Sequence, residues 1–244
     1  MNELETLSEW LNEARNAVFF GGAGVSTESG IPDFRSEQGI YRKKYPYPAE
    51  TMLSHAFFHS YTAEFYDFYR TVMLYPDAPP NAAHRTLAVL ERDGHLAACV
   101  TQNIDGLHQL AGSRRVFELH GSVHRNFCLR CGAAYDLTYI LNSTDIPRCA
   151  CGGTVKPDVV LYGEQLDYGT LDEASAAIRA ADVLIVGGTS LAVYPAAGLI
   201  DLYRGQRLVL INLGETPADA RADLLVRDKV GEVLSAAYGV GGAE

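Results

Sequence analysis

A chain of 244 residues, 48% hydrophobic and 20% charged, carries enough apolar material for one sizeable domain with or without a small module. Its formal net charge of −10 repels phosphate and acidic lipid, so neither nucleic acid nor membrane is an expected partner. The start lacks the basic residues and apolar run of a secretory signal, and no stretch approaches the ~20 apolar residues of a membrane span. The chain is therefore expected to be cytoplasmic, where thiols stay reduced and clustered cysteines suggest a metal before a disulfide.

In chain order, Leu4, Leu7, Trp10 and Leu11 recur at helical spacing with glutamates between them, which predicts an amphipathic helix over 1–14. Ala17-Val18-Phe19-Phe20 is a continuous apolar run entering Gly21-Gly22-Ala23-Gly24, as expected of a strand buried on both faces. Residues 36–80 hold no such run. They are rich in Tyr, Phe and His and predict a small helical insertion closed by Pro76-Asp77-Ala78-Pro79-Pro80. Further strands are predicted at 97–100, 116–119 and 159–162. Residues 122–158 hold four of the five cysteines and few large aliphatics, so this segment needs a staple other than its own core. Runs at 183–186 and 208–211 each enter a polar or glycine-containing loop, with helices predicted at 171–181 and 196–203. The Gly-rich tail after Tyr238 is expected to fray.

Alternating strands and helices imply an α/β fold with a Rossmann-like doubly wound parallel sheet. The expected division is a large lobe at about 1–35, 81–121 and 159–244. A smaller lobe would combine the helical insertion 36–80 with a zinc-ribbon insertion 122–158.

The glycine loop Gly22-Ala23-Gly24-Val25-Ser26-Thr27-Glu28-Ser29-Gly30 could cradle a pyrophosphate or simply turn the chain. It departs from G-x-G-x-x-G, since Thr27 takes the sixth position, and no clear acid closes the second strand for a ribose. Asp33-Phe34-Arg35 would place a charge pair and a ring beside it. Asn103 and Asp105, followed by Gly106, suit a turn or helix cap as readily as a ligand site. His120, at a strand end before Gly121, could be a base or a satisfied structural histidine. His55 and His59 lack the His-Glu-x-x-His pattern and suit surface or packing roles. Cys128-x-x-Cys131 and Cys149-x-Cys151, separated by 17 residues, match a zinc ribbon, with disulfide pairing as the alternative. Gly132, Gly152 and Gly153 follow these pairs, where amides often turn back toward sulfur. Cys99 lies in an apolar run and is expected in the core.

Six motifs in order resemble the sirtuin family across nearly the whole chain. They are the glycine loop through Ile31-Pro32-Asp33-Phe34-Arg35, then Thr101-Gln102-Asn103-Ile104-Asp105-Gly106-Leu107-His108, then Glu118-Leu119-His120-Gly121. Lys156-Pro157-Asp158-Val159-Val160-Leu161-Tyr162-Gly163-Glu164, Gly188-Thr189-Ser190-Leu191 and Asn212-Leu213-Gly214-Glu215-Thr216-Pro217 complete the set. The resemblance implies an NAD-dependent protein-lysine deacetylase: the acyl oxygen attacks the ribose carbon that holds nicotinamide, and the products are nicotinamide, O-acetyl-ADP-ribose and free lysine. Nicotinamide would also inhibit. Asn103, Asp105 and His120 would be catalytic, with His120 the general base. Asp105 and the Ile104 backbone would hold the nicotinamide carboxamide, Asn103 the ribose hydroxyls and a water, Phe34 the cover and Arg35 a phosphate contact. Ala23, Gly24, Thr27, Gln102, Thr189, Ser190, Asn212 and Lys229 would complete the NAD site. The four cysteines would bind one structural Zn2+, although Cys149-x-Cys151 is one residue shorter than the commoner family spacing.

Val159 and Val160 would present backbone to an acetyl-lysine peptide adding as a strand. Family members that prefer succinyl or malonyl lysine carry a Tyr with an Arg three residues later in the helical insertion, near Phe65 and Tyr66. Here Tyr69 follows Tyr66 at that spacing and Arg70 comes one position on, so it should point elsewhere and leave a neutral acyl pocket. A mono-ADP-ribosyltransferase on the same scaffold is the alternative. A zinc-ribbon adaptor would leave these polar residues idle, and a conventional dehydrogenase is disfavoured by the glycine spacing.

Overall fold

The computed structural model describes residues 2–239, so Met1 and the end of the Gly-rich tail lie outside the described residues. Among the described residues nine strands form: β1 (Ala17–Gly21), β2 (Leu96–Thr101), β3 (Val116–Glu118), β4 (Gly121–Cys128), β5 (Ala134–Tyr135), β6 (Val155–Val159), β7 (Leu184–Gly187), β8 (Leu208–Ile211) and β9 (Leu224–Val226). Six build a parallel sheet in the order β3-β2-β1-β7-β8-β9. The chain winds outward from β1 through β2 to β3, then crosses to β7 and winds the other way. The crevice beyond the carboxyl ends of β1 and β7 is therefore the switch point, the usual ligand site of such sheets.

Side-chain alternation places Ala17 and Phe19 in the core on one face of the sheet and Val18 and Phe20 in the core on the other. Helices Glu3–Glu13, Ala82–Arg92 and Val230–Tyr238 cover the first face, and Tyr168–Ala180 with the 3₁₀ segment Ala196–Leu202 covers the second. The amino-terminal helix begins at Asn2, whose side chain accepts from Glu5 N–H while the Glu5 carboxylate accepts from Asn2 N–H. It buries Leu7 and Leu11, whereas Leu4 is 40% exposed. Cys99 lies in the core on β2.

A separate sheet, ordered β5-β4-β6, is antiparallel. It shares a third apolar core with the helices Ala49–Met52, His55–Ser60 and Thr62–Phe68: Phe58, Phe65 and Tyr66 pack with Val123, Ile140 and Val155. The cysteine segment thus borrows its core from the aromatic insertion.

The structure corrects one expectation and adds one strand. The apolar run 159–162 is not a strand of the large sheet. β6 ends at Val159, Val160 N–H donates to the His120 carbonyl, and Tyr162 N–H donates to the Leu53 carbonyl. The run is apolar because Val159 and Leu161 enter the third core. β9, only three residues long and flanked by Asp223 and Arg227, went unrecognised because it is too short to show a period.

Candidate active site

The glycine loop and the β7 loop touch backbone to backbone. Gly22 N–H donates to the Gly187 carbonyl at 3.3 Å and Gly24 N–H to the Gly188 carbonyl at 2.8 Å. A Cβ on Gly24 would sit 2.8 Å from Gly188 Cα, and one on Gly188, at φ +59°, would sit 2.4 Å from Val25 N. Glycine is needed here for close approach. The loop then runs through two 3₁₀ turns, Ala23–Val25 and Thr27–Ser29, so no long helix follows it. Glu28 accepts a hydrogen bond from Gly231 N–H at 2.8 Å, holding the loop against the amino-terminal turn of Val230–Tyr238.

Beyond β2, Gln102 Nε2 donates to Thr189 Oγ1 at 3.0 Å, joining the two strand ends. Asn103 Nδ2 donates to the Gly22 carbonyl at 3.1 Å and to Ser26 Oγ at 3.0 Å. Both amide protons are thereby spent inside the protein, leaving the Asn103 carbonyl oxygen for a ligand. Ser26, 1% exposed, donates in turn to Asp105 Oδ2 at 2.6 Å. Asp105 Oδ1 accepts at 2.9 Å from the N–H of Leu107, the first residue of the short helix Leu107–Leu110, and Asp105 lines the cleft. Burial pushes the Asp105 carboxyl up, against the opposing pull of Ser26 and Leu107.

His120 sits at the break between the two sheets. Gly121, at φ +78°, lets β6 approach so closely that a Cβ there would lie 1.8 Å from the Asp158 carbonyl oxygen. His120 Nδ1 lies 2.9 Å from the Gln102 carbonyl oxygen. A carbonyl only accepts, so Nδ1 carries the proton and Nε2 is left as the acceptor. Burial lowers the His120 pKa from 6.5, partly opposed by the Gln102 bond, so the ring is neutral at pH 7.

Residues 33–41 fold back on themselves. Asp33 Oδ1 accepts from Arg35 N–H at 3.0 Å and Ser36 N–H at 2.8 Å. The expected charge pair beside the loop is absent among the described residues, because the Asp33 carboxylate caps backbone and the exposed Arg35 guanidinium lies over the Tyr41 ring at 5.5 Å. Phe34 packs on the same ring at 5.4 Å, and the Tyr41 and Tyr162 hydroxyls meet at 2.5 Å.

A cleft of about 1830 Å³ runs through these elements. Every residue picked out as an NAD contact lines it: Ala23, Gly24, Thr27, Phe34, Arg35, Gln102, Asn103, Ile104, Asp105, His120, Thr189, Ser190, Asn212 and Lys229. Lys229 lies at its rim with its ammonium on Glu232 at 2.6 Å. Val159 and Val160 also line it, with the Val159 carbonyl accepting from Lys156 at 3.1 Å. Ser26, Glu28 and Tyr41 are the positioning groups that sequence reasoning passed over. Ser26 and Glu28 stand in the glycine loop itself, but their partners are 79 and 203 residues away.

The four cysteine sulfurs lie within 4.8 Å of one another, with Cys128–Cys151 and Cys131–Cys149 at 3.5 Å. A disulfide needs about 2.05 Å, whereas four thiolates about 2.3 Å from a tetrahedral zinc stand ~3.8 Å apart. The set fits a closed structural zinc site, and the short Cys149-x-Cys151 spacing does not prevent convergence. The amides that reach sulfur belong to Arg130 and Cys151, at 3.4 and 3.5 Å, and not to the glycines. Gly132 and Gly152 instead turn the chain at φ +72° and +85°, their N–H groups bonding the Cys128 and Cys149 carbonyls. His55 and His59 are exposed, their rings 4.4 Å apart, with His55 Nδ1 2.9 Å from Glu164.

Comparison with known proteins agrees with this geometry. The Sir2 family profile matches residues 22–195. The NAD-dependent protein deacetylase of Cutibacterium acnes is 57% identical over 234 residues, covering 95% of this chain and 96% of the relative. That of Clostridium acetobutylicum is 56% identical over 238 residues, covering 96% and 97%. A solved structure described as Sir2–p53 peptide–NAD+ superposes with a TM-score of 0.86 at 41% identity, covering 100% of both chains. Another, described as Sir2 bound to a propionylated peptide, gives 0.85 at 41% identity over 100% of both chains. A profile spanning most of the chain, relatives above half identity over nearly full length and one shared fold show that this chain belongs to the Sir2 family.

Proposed function

We propose that the protein removes acetyl groups from protein lysine side chains with NAD as co-substrate. Acetyl-lysine, NAD and water would give lysine, nicotinamide and O-acetyl-ADP-ribose. The observation that carries this is the convergence on one cleft of Asn103 and Asp105, after β2, with His120, after β3. NAD, when bound, supplies a glycosidic bond that breaks to release nicotinamide. His120 Nε2 would accept the ribose hydroxyl proton, with Nδ1 fixed on Gln102. The Asn103 carbonyl oxygen would accept from the ribose hydroxyls. Asp105 and the Ile104 backbone would hold the carboxamide, and Phe34, braced on Tyr41, would shield the reacting face from water. Ala23, Gly24, Thr27, Arg35, Thr189, Ser190, Asn212 and Lys229 would take the rest of the dinucleotide. In this reading the large lobe would hold NAD, and Cys128, Cys131, Cys149 and Cys151 of the small lobe would bind zinc for structure alone. The peptide would add as a strand at Val159 and Val160.

The acyl pocket is read as neutral. Arg70 turns away: its Nε donates to the Ile140 carbonyl at 3.0 Å and its guanidinium to the Asp145 carbonyl. Tyr66 is fully buried, its hydroxyl donating to the Val155 carbonyl. Neither lines the cleft. No helix among the described residues is long and apolar enough to cross a membrane, which is compatible with cytoplasmic targets.

The test is mass spectrometry of products from acetyl- and succinyl-lysine peptides, with and without NAD. Deacetylation that requires NAD and exceeds desuccinylation supports the reading. ADP-ribose transferred to protein, with acetyl-lysine intact, would favour mono-ADP-ribosyl transfer.

A further inference from the structure

His124 lies at a break in the β4–β6 ladder. Ser122 pairs with Asp158 and Asn126 with Pro157, so 123–125 on β4 have no counterparts on β6. Such a bulge re-aims the residues it frees. Here they meet the turn that carries Asp105. Val123 N–H donates to the Ile104 carbonyl at 3.0 Å, and His124 Nε2 lies 3.0 Å from the Asp105 carbonyl oxygen. Since that oxygen can only accept, Nε2 is the protonated nitrogen. Two consecutive carbonyls of the turn are thus held by two consecutive residues of the bulge. The imidazole also lies flush on Gly106, where a Cβ would come 2.7 Å from His124 Cδ2 and the backbone takes φ +73°. His124 itself is exposed at the mouth of the cleft and lines it.

We propose that His124 is a positioning residue that sets the Ile104–Asp105–Gly106 backbone, and through it the grip on the nicotinamide carboxamide. This rests on the deacetylase reading, in which Asp105 and the Ile104 backbone take that group. Val123 holds the turn from one side through main chain alone, which no side-chain change removes. The second tie, at Asp105, depends wholly on the His124 side chain. Without it the Asp105 carbonyl is free to rotate toward water and the carboxylate loses one of the constraints on its direction. The acetyl-peptide site read at Val159 and Val160 lies at the end of β6, where β4 contributes Gly121 and not the freed residues 123–125.

The experiment compares wild type, His124→Ala and His124→Gln by steady-state deacetylation, reading nicotinamide inhibition alongside the KM for acetyl-peptide and kcat. Gln keeps an N–H donor of similar reach, whereas Ala removes it. The expected result is that Ala weakens nicotinamide inhibition by about three- to tenfold, the range of one lost hydrogen bond, with the peptide KM within about twofold. Gln should restore inhibition to within about twofold of wild type. Unchanged inhibition in the Ala variant overturns the proposal, as does an equal loss in every constant that Gln fails to rescue. If wild type itself releases no nicotinamide from NAD and acetyl-peptide, the underlying reading falls and the proposal falls with it.

Discussion

Ser26 Oγ donates to Asp105 Oδ2 at 2.6 Å while accepting from Asn103 Nδ2 at 3.0 Å. One buried hydroxyl therefore orients both polar side chains of the turn after β2, and it comes from the loop after β1. Ser26→Ala should leave the fold intact and lower kcat/KM by about ten- to a hundredfold, the range for a hydrogen bond to a charged group. Steady-state kinetics check this, and a kcat/KM within twofold of wild type would count against the relay.

In the proposed reaction His120 is the base, with its tautomer set by the Gln102 carbonyl and its pKa lowered by burial. His120→Ala should lower turnover by about 10²- to 10⁴-fold. Its melting temperature should move by only about 2–4 °C, since a single hydrogen bond to Gln102 is lost. Burial lowers the ring's pKa from 6.5, so the unprotonated base persists into mild acid. The acid limb of kcat/KM should fall below pH 6.5, with a flat region between pH 7 and 8.

The cysteine tetrad predicts about one zinc ion per chain by atomic absorption. Cys131→Ser should lose most of it, and hydrogen exchange should speed up across β4–β6 while β1 and β7 stay protected. Full zinc content in that variant would place the ion elsewhere.

His84 and His108 pack with ring centroids 4.8 Å apart, almost without exposure. Among the described residues, His84 Nε2 and both His108 nitrogens have no hydrogen-bond partner. Burial lowers their pKa values to about 3 and about 4, from 6.5. Between those values and 6.5 the unfolded chain binds more protons than the folded one, so stability falls as pH drops through that window. Thermal melts from pH 7 to pH 4.5 should show this decline, and His108→Phe should reduce it, with the part due to His84 remaining.

Much of this was legible in the sequence, for identifiable reasons. The runs at 17–20, 183–186 and 208–211 read as strands because both faces of a parallel sheet are buried, which leaves an unbroken apolar signal. The cysteine spacing reads as zinc because four thiolates need two close pairs. What sequence could not give is who touches whom across the chain. Asn103 and Asp105 in isolation suit a turn, and Asp105 does accept from Leu107 N–H two residues on; only contact with Ser26 shows their shared arrangement. Val159 to Tyr162 reads as a strand of the large sheet because local pattern records burial and not the partner. The Tyr41–Tyr162 hydroxyl contact joins residues 121 apart, beyond any local signal.

The most direct measurement is the stoichiometry of a limited-turnover reaction, counting nicotinamide released against lysine freed from an acetyl-peptide. One nicotinamide should appear for each lysine, together with one O-acetyl-ADP-ribose and nothing when NAD is withheld. Acetyl lost as free acetate without NAD, or nicotinamide released with no lysine freed, would contradict the assignment of this cleft.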